Sequence, residues 1–217
     1  MEIKPVMVWN KKEALDNFSD FVSRVGFKPK KWKLALVKPN ICGLYHPDLS
    51  LLKCIMDFLE PYAKRIVIGE TESMIHSPQE QFRRLGIYEL LKDFQGKAEA
   101  KNLSSDKVIK VRVPSPHAIG ELSLPEIVIR CDLLINVPRV GTHSTTRLTC
   151  ALKNLFGLLS EKRKYSAYHS LGMDEVIADI AKVVKTDLNV VDANNQLILG
   201  LDPLTADIAA AQLIQLN

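Results

Sequence analysis

The sequence predicts an α/β layered fold with a central, mostly parallel sheet and helices on both faces. Short apolar runs without polar alternation recur along the chain, which is typical of strands covered on both faces. Amphipathic segments with helical spacing lie between these runs, and such alternation favours a parallel sheet. We interpret residues 1–217 as a single α/β domain, with a less regular, β-rich excursion around residues 97–126.

The predicted strands are apolar runs of about strand length, and one further run near the C-terminus is a candidate sixth. The five are Lys33–Val37, Arg65–Gly69, Val108–Val113, Asp132–Val137 and Leu188–Ala193, and the sixth is Leu197–Leu201.

The predicted helices have apolar residues on one face and start signals in front of them. The first, over residues 11–25, places Phe18 and Val22 on its buried face. Asp48 is expected to cap a second, and Pro78 suits the first turn of a third. The last two are expected to begin at Asp174 and at Asp202, which precedes a proline.

The composition excludes several classes of protein. The chain is 47% hydrophobic and 25% charged, with a net charge of +4. Its basic residues are scattered, apart from the basic segment at residues 161–169, so no nucleic-acid-binding stripe is expected. No apolar run reaches the roughly 18 residues of a membrane span. The first residues lack a signal-peptide pattern, so we expect a cytoplasmic protein. The four cysteines form no C-x-x-C pair and are expected to be free thiols.

Polar side chains follow four of the predicted strands. Lys38 and Asn40 follow the first, Glu70 the second and Arg139 the fourth, while Asp192 lies at the end of the fifth. Ligands of open parallel sheets bind outside the carboxyl ends of the strands. We therefore expect these residues to share a cleft, although strand ends are commonly polar because chains turn there.

The segment after the fourth run has more polar groups than a turn needs. We expect a helix to begin among its hydroxyls, where free N–H groups suit an anion. Arg139 and Arg147 could hold a phosphate or carboxylate, and the alternative is a helix cap with spare hydroxyls. The proposed ligand-binding residues of this segment are Arg139, Thr142, Ser144, Thr145, Thr146 and Arg147.

Two histidines flank a lysine in the following helical segment. Lys153 lies in an apolar stretch, so it either extends to solvent or sits in a cleft, where it could be a nucleophile or an anion partner. His143 and His169 lie on either side of it and could face the same cleft.

The segment NVPRVGTHSTTRLTCALKNLFG (residues 136–157) resembles the domain of unknown function 362 family. Supporting pieces at residues 37–40, 68–73, 190–193 and 202–213 occur in the same order. Many members carry a ferredoxin-like iron–sulfur segment, which this chain does not contain. The resemblance therefore implies either a redox role or a ferredoxin-like, iron–sulfur partner, with no cluster motif in this chain.

The spacing of His143, Lys153 and His169 is also similar, more distantly, to the centre of the nickel-pincer lactate racemase family. That likeness implies an acid/base role for His143, covalent cofactor attachment at Lys153 and metal ligation by His169. The racemases have glycines just before the lysine, where this chain has Thr149 to Leu152.

Three functions remain open on the sequence. The first is an enzyme of isomerase or redox type acting on a small anionic substrate, with His143 and Lys153 as catalytic residues. The second is a non-catalytic binding module for a phosphate- or carboxylate-bearing ligand. The third is a subunit serving an iron–sulfur partner.

Overall fold

A seven-stranded sheet forms the centre of the molecule. The computed structural model describes residues 4–94 and 96–216. In sheet order, the strands are β1 (Val6–Asn10), β11 (Gln196–Gly200), β10 (Leu188–Ala193), β7 (Leu133–Val137), β2 (Trp32–Pro39), β3 (Ala63–Glu70) and β4 (Ala98–Asn102).

The sheet is mostly parallel. Strands β10, β7, β2, β3 and β4 run in one direction, while β11 pairs antiparallel with β10 and β1 pairs antiparallel with β11. The four runs expected to share one sheet, at Lys33–Val37, Arg65–Gly69, Asp132–Val137 and Leu188–Ala193, do so. The predicted fold class is confirmed, and Leu197–Leu201 matches the antiparallel strand β11.

Helices cover both faces of the sheet. They are α1 (Lys11–Asp16), α2 (Phe18–Arg24), α3 (Leu49–Leu59), α4 (Pro78–Arg84), α5 (Ile87–Leu91), α6 (Glu126–Arg130), α7 (Ala151–Phe156), α8 (Lys164–Tyr168), α9 (Met173–Val183) and α10 (Pro203–Leu213). Ala35 and Val37 of β2 belong to the core that contains α2 and α3, whereas Leu36 belongs to the core that contains α6 and α9. Successive strand residues thus point into two different cores. No helix within the described residues is long and apolar enough to cross a membrane.

The single helix expected over residues 11–25 is two helices. The break falls at Asn17, whose side-chain amide donates to the Glu13 carbonyl at 3.1 Å and whose backbone N–H donates to the same oxygen. An asparagine side chain that competes for backbone groups favours helix ends. Phe18 and Val22 nevertheless point into the core as expected.

The region around residues 97–126 contains three strands, which belong to two different sheets. β4 forms the edge of the central sheet, whereas β5 (Val108–Arg112) and β6 (Glu121–Pro125) form a separate antiparallel pair. The run at Val108–Val113 is therefore a strand, but it lies outside the central sheet. Its residues alternate between exposed and half-buried, so the expectation that both faces are covered is wrong for this strand.

Candidate functional site

A cleft of about 410 Å³ lies at the carboxyl ends of β2 and β3. The loop after each of these strands forms one side, and the segment from β8 (Gly141–His143) to α8 forms the other. Lys38, Asn40, Glu70, Thr142, His143 and Lys153 were all expected in a shared site, and all six line this cleft.

The floor of the cleft is a buried ion pair. Lys38 is 1% exposed, and its Nζ lies 2.8 Å from Oε1 and 2.9 Å from Oε2 of Glu70. The same Nζ donates to Oδ1 of Asn154 at 2.9 Å and to the Pro39 carbonyl at 2.9 Å. Buried charges are tolerated when they are paired and fully hydrogen-bonded, and Lys38 satisfies both conditions. Its hydrogen-bonding capacity is used within the protein.

Three buried asparagines hold this floor in place. Asn154 donates to Asn136 Oδ1 at 2.7 Å and to the Lys38 carbonyl at 3.0 Å. Asn136 in turn donates to Asn189 Oδ1 at 2.9 Å and to the Ala151 carbonyl at 3.0 Å. The network joins β2, β7, β10 and α7, so the position of α7 over the sheet is fixed by polar contacts as well as by packing.

Gly157 allows α7 to end directly above the ion pair. A Cβ at this position would lie 2.9 Å from Lys38 Nζ and 3.2 Å from both Glu70 Oε1 and the Asn154 carbonyl. The Thr71 hydroxyl also donates to the Gly157 carbonyl. The backbone at position 157 therefore lies so close to the Lys38–Glu70 pair that a residue without a side chain fits best there.

The residues expected to begin a helix form a β-hairpin instead. β8 pairs antiparallel with β9 (Arg147–Thr149), and α7 begins only at Ala151. The prediction that a helix begins among these hydroxyls is therefore wrong, because α7 starts after them. The hydroxyl-rich stretch folds as the turn of the hairpin, in which the Thr146 hydroxyl donates to the Leu148 carbonyl at 2.9 Å.

The N-terminus of α7 is occupied by a carboxylate of the protein itself. Asp207 of α10 accepts from the Ala151 amide at 2.6 Å and from the Leu152 amide at 3.2 Å. Burial raises the pKa of Asp207 to about 6. An internal acid thus takes the place expected for a bound anion, and an anion site at this helix start is not available.

His143 lines the cleft with one ring nitrogen already engaged. Its Nδ1 accepts from the backbone amides of Thr145 at 3.1 Å and Thr146 at 3.4 Å. Burial, and then the positive charges of Lys153 and His169, lower its pKa below the ordinary value. A neutral imidazole that accepts at Nδ1 carries its proton on Nε2, so His143 can donate a hydrogen bond from Nε2.

Lys153 lines the cleft and has no hydrogen-bond acceptor among the residues that the structure describes. Within residues 4–94 and 96–216, its ammonium makes a cation–π contact with Phe156, at 5.8 Å from the ring centroid, and no hydrogen bond or ion pair. Burial lowers its pKa below the ordinary lysine value. A partly desolvated ammonium of this kind gains more from an anion than a solvated one does, because its water shell is already incomplete.

Two further lysines from the basic segment complete the positive lining. Lys164 is 8% exposed and donates to the Glu72 carbonyl at 2.7 Å, and burial lowers its pKa. Lys162 lies 3.4 Å from the Glu72 carboxylate. The cleft is lined by four lysines and two glutamates, so its net charge is positive.

Arg139 and Asp192 are not part of this cleft. Asp192 is completely buried and accepts from Lys11 Nζ at 2.8 Å. Arg139 donates to Asp48 Oδ1 at 2.9 Å and to Asn194 Oδ1 at 2.6 Å. Both lie at the same edge of the sheet as expected, but their side chains form a separate ion-pair network. Asn40 connects the two, since it lines the cleft while its Oδ1 accepts from the Arg139 amide at 2.8 Å.

The remaining predicted ligand-binding residues lie beside the cleft. Ser144, Thr145, Thr146 and Arg147 belong to the hairpin turn and to β9, and they do not line it. Thr146 lines a smaller cavity of about 220 Å³ on the other side of Lys153. Thr142 is the one hydroxyl among the predicted ligand-binding residues that reaches the main cleft.

His169 lies next to the cleft behind an aromatic ring. It stacks on Tyr165 with ring centroids 4.2 Å apart, and its Nε2 is 3.5 Å from the Thr145 hydroxyl. No group of three His, Cys, Asp or Glu side chains in the described part of the chain could hold a metal ion. The racemase likeness assigns the chain one metal ligand only, so metal ligation by His169 stays a prediction.

The cysteines do not form a cluster site. All four are free, and Cys42, which lines the cleft, has a pKa raised to about 12 by burial and then by Glu70. A thiol with so high a pKa is a poor metal ligand and a poor nucleophile.

Several residues of the site were missed by sequence reasoning. They are the buried amides Asn136, Asn154 and Asn189. Asn136 and Asn154 lie inside the polar motif itself, so amides within apolar segments were the available signal. Nothing local distinguishes Asn189, because its partner Asn136 lies 53 residues away in sequence.

Two comparisons relate this chain to known proteins. Over 80 residues the chain is 29% identical to a thylakoid-associated protein of Synechocystis sp. (strain ATCC 27184 / PCC 6803 / Kazusa). That match covers 35% of this chain and 25% of the relative. A family model matches residues 35–212, which include both strand ends of the floor and the whole β8–α7 segment. The chain therefore belongs to the family described as Domain of unknown function (DUF362).

Proposed function

We propose that this protein binds a small carboxylate- or phosphate-bearing ligand in the cleft, with Lys153 as the principal charge partner. The observation that carries the proposal is the state of Lys153, which lines the cleft, is partly desolvated and has no acceptor among the described residues. Lys38 is not an alternative, because Glu70, Asn154 and Pro39 already satisfy it.

His143 is the second ligand group in this proposal. Its Nδ1 is held by two backbone amides, so its Nε2–H is the proton available to a ligand oxygen. A lysine charge and a neutral imidazole donor suit a carboxylate or a phosphate oxygen. The Lys38–Glu70 pair and the asparagine network supply a rigid floor, which lowers the entropic cost of ordering the site on binding.

Titration by NMR with inorganic phosphate and with acetate tests the proposal. We expect the backbone amides of residues 142–149 to shift and saturate in the wild type. Lys153→Gln should abolish the shifts, because glutamine cannot carry the charge. Lys162→Gln is the matched control, since Lys162 also lines the cleft but is exposed and paired with Glu72. Unchanged amides in the wild type, or equal effects of the two variants, would contradict the proposal.

The lowered pKa of Lys153 also favours a second candidate, an enzyme whose lysine attacks a carbonyl substrate. A free amine adds to the carbonyl carbon, water leaves, and an imine forms, which is a route to isomerase-type chemistry. His143 would serve as acid/base toward the substrate through Nε2.

Reductive trapping tests this second candidate. Incubation with pyruvate and borohydride should add one reduced pyruvate unit to Lys153, detected by peptide mass spectrometry. Lys153→Arg should show no adduct there, because a guanidinium keeps the charge but cannot form the imine. Modification spread evenly over exposed lysines would argue against an activated Lys153.

The remaining expectations belong to the same proposal. A cytoplasmic location is proposed, and cell fractionation of the native host tests it, since the name of the Synechocystis relative associates that protein with thylakoids. A ferredoxin-like partner is an expectation from the family resemblance, and no step proposed here depends on it.

A further inference from the structure

Among the described residues, the most exposed large apolar side chains surround the mouth of this cleft. Leu44 is 85% exposed, Ile75 75%, Met74 68% and Tyr165 59%, and no other large hydrophobic residue in the described part of the chain is more exposed than these. All four line the cleft. We call Leu44, Met74, Ile75 and Tyr165 the apolar rim.

The apolar rim comes from three separate parts of the chain. Leu44 lies in the loop after β2, Met74 and Ile75 lie in the loop after β3, and Tyr165 belongs to α8. Isolated exposed hydrophobics are normal on a protein surface, but a cluster around one opening marks a binding surface.

The lining changes from charged to apolar between the floor and the mouth. Lys153 and His143 lie within the cleft, Phe156 contacts the Lys153 ammonium, and the apolar rim lies at the opening. The cleft volume of about 410 Å³ falls in the range of sites for drug-sized ligands, far larger than a phosphate or an acetate requires.

We propose that the ligand is an amphipathic anion, with its carboxylate or phosphate at Lys153 and an apolar body of several carbons against the apolar rim. This inference rests on the proposed function, because it takes the anion at Lys153 as given. It adds that most of the affinity comes from the apolar part, which covers side chains that are otherwise exposed to water.

Isothermal titration calorimetry with octanoate, acetate and 1-octanol separates the contributions. We expect octanoate to bind at least roughly tenfold more tightly than acetate, since each buried methylene adds to affinity. We expect 1-octanol, which has no charge, to bind much more weakly than octanoate. Lys153→Gln should remove the preference for octanoate over 1-octanol.

The rim is tested by a double variant, Met74→Ser with Ile75→Ser. It should weaken octanoate binding several-fold more than acetate binding. Ile129→Ser is the matched control, because Ile129 is 45% exposed on α6, which leads into the opposite end of β7. Both sets of residues are exposed, so loss of folding does not complicate the comparison.

The outcomes distinguish this inference from the proposed function. If acetate and octanoate bind equally and both need Lys153, the anion site stands and the amphipathic ligand is wrong. If no anion binds, the proposed function itself fails. If 1-octanol binds as well as octanoate and independently of Lys153, or if the double variant dissociates an oligomer seen by sedimentation, the apolar rim is a docking surface and the inference is overturned.

Discussion

Two lysines of this protein show how the surroundings of a residue decide its role. Lys38 and Lys153 both line the same cleft, yet Lys38 has three internal acceptors while Lys153 has none among the described residues. Lys38 is therefore structural, because removing it would leave Glu70 charged and buried. Lys153 is the residue with unused binding capacity.

The requirement for glycine at position 157 can be tested with a single substitution. Gly157→Ala should reduce the free energy of unfolding by about 1–3 kcal/mol, because the added methyl group would press on the Lys38–Glu70 pair. Its φ of −67° is ordinary for alanine, so the effect would come from contact rather than from backbone strain.

Urea unfolding measures this change. Gly120→Ala is the control, since a Cβ there meets nothing within 4 Å, and it should stay within about 0.5 kcal/mol of the wild type. Equal stability of the two variants would show that the floor can move aside.

At the scale of elements, the start of α7 is set by another helix. Asp207 of α10 accepts from the first two amides of α7, and the Cys150 thiol hydrogen-bonds to the same carboxylate. This contact fixes where the hairpin ends and the helix begins, and so fixes the position of Lys153 within the first turn of α7.

The raised pKa of Asp207 predicts a pH dependence of stability. The folded protein binds the carboxyl proton of Asp207 more tightly than the unfolded chain does. The stabilisation that comes from this proton is therefore fully present below the ordinary pKa of 3.8, and it is lost as the pH rises through the folded-state pKa of about 6. Asp207→Asn cannot titrate but keeps an oxygen for the α7 amides. The difference in unfolding free energy between wild type and variant should therefore shrink from pH 4 to pH 7. Urea titrations across this range measure it, and a constant difference would refute the assignment.

At the scale of the whole molecule, a second polar network joins the N-terminal part of the chain to the sheet. Lys11 of α1 bonds to Asp192 of β10 and to Asp48 before α3, and Arg139 after β7 reaches both carboxylates. Asp192 has no exposure to water, so its side-chain oxygens interact with these partners instead of with solvent.

Removal of Lys11 should destabilise the protein as a whole. Lys11→Met leaves Asp192 buried with Arg139 at 3.6 Å as its nearest cation, and we expect a loss of about 3 kcal/mol in the free energy of unfolding. Lys12→Met, at the exposed neighbouring position, should change it by less than about 0.5 kcal/mol. Thermal and urea unfolding give both values, and similar results for the two variants would mean that water or Arg139 compensates for Lys11.

The sequence by itself determined the layered α/β fold, its central strands and the edge of the sheet that carries the cleft. These follow from local patterns, since unbroken apolar runs specify buried strands and polar residues mark where the strands end. It also predicted that Lys38 and Glu70 share a cleft, because parallel strands bring their carboxyl ends together.

The tertiary structure alone decided which of these polar groups have hydrogen-bond partners inside the protein and which can bind a ligand. Asp207 accepts from the Ala151 amide, so α7 starts after the hydroxyl-rich stretch. Asp192 is paired with Lys11 and does not line the cleft. Glu70 and Asn154 saturated Lys38, leaving Lys153 open to a ligand. Each decision depends on a partner at least 32 residues away in sequence. No local pattern contains such pairings, because the free energy of a polar group is set by its neighbours in space.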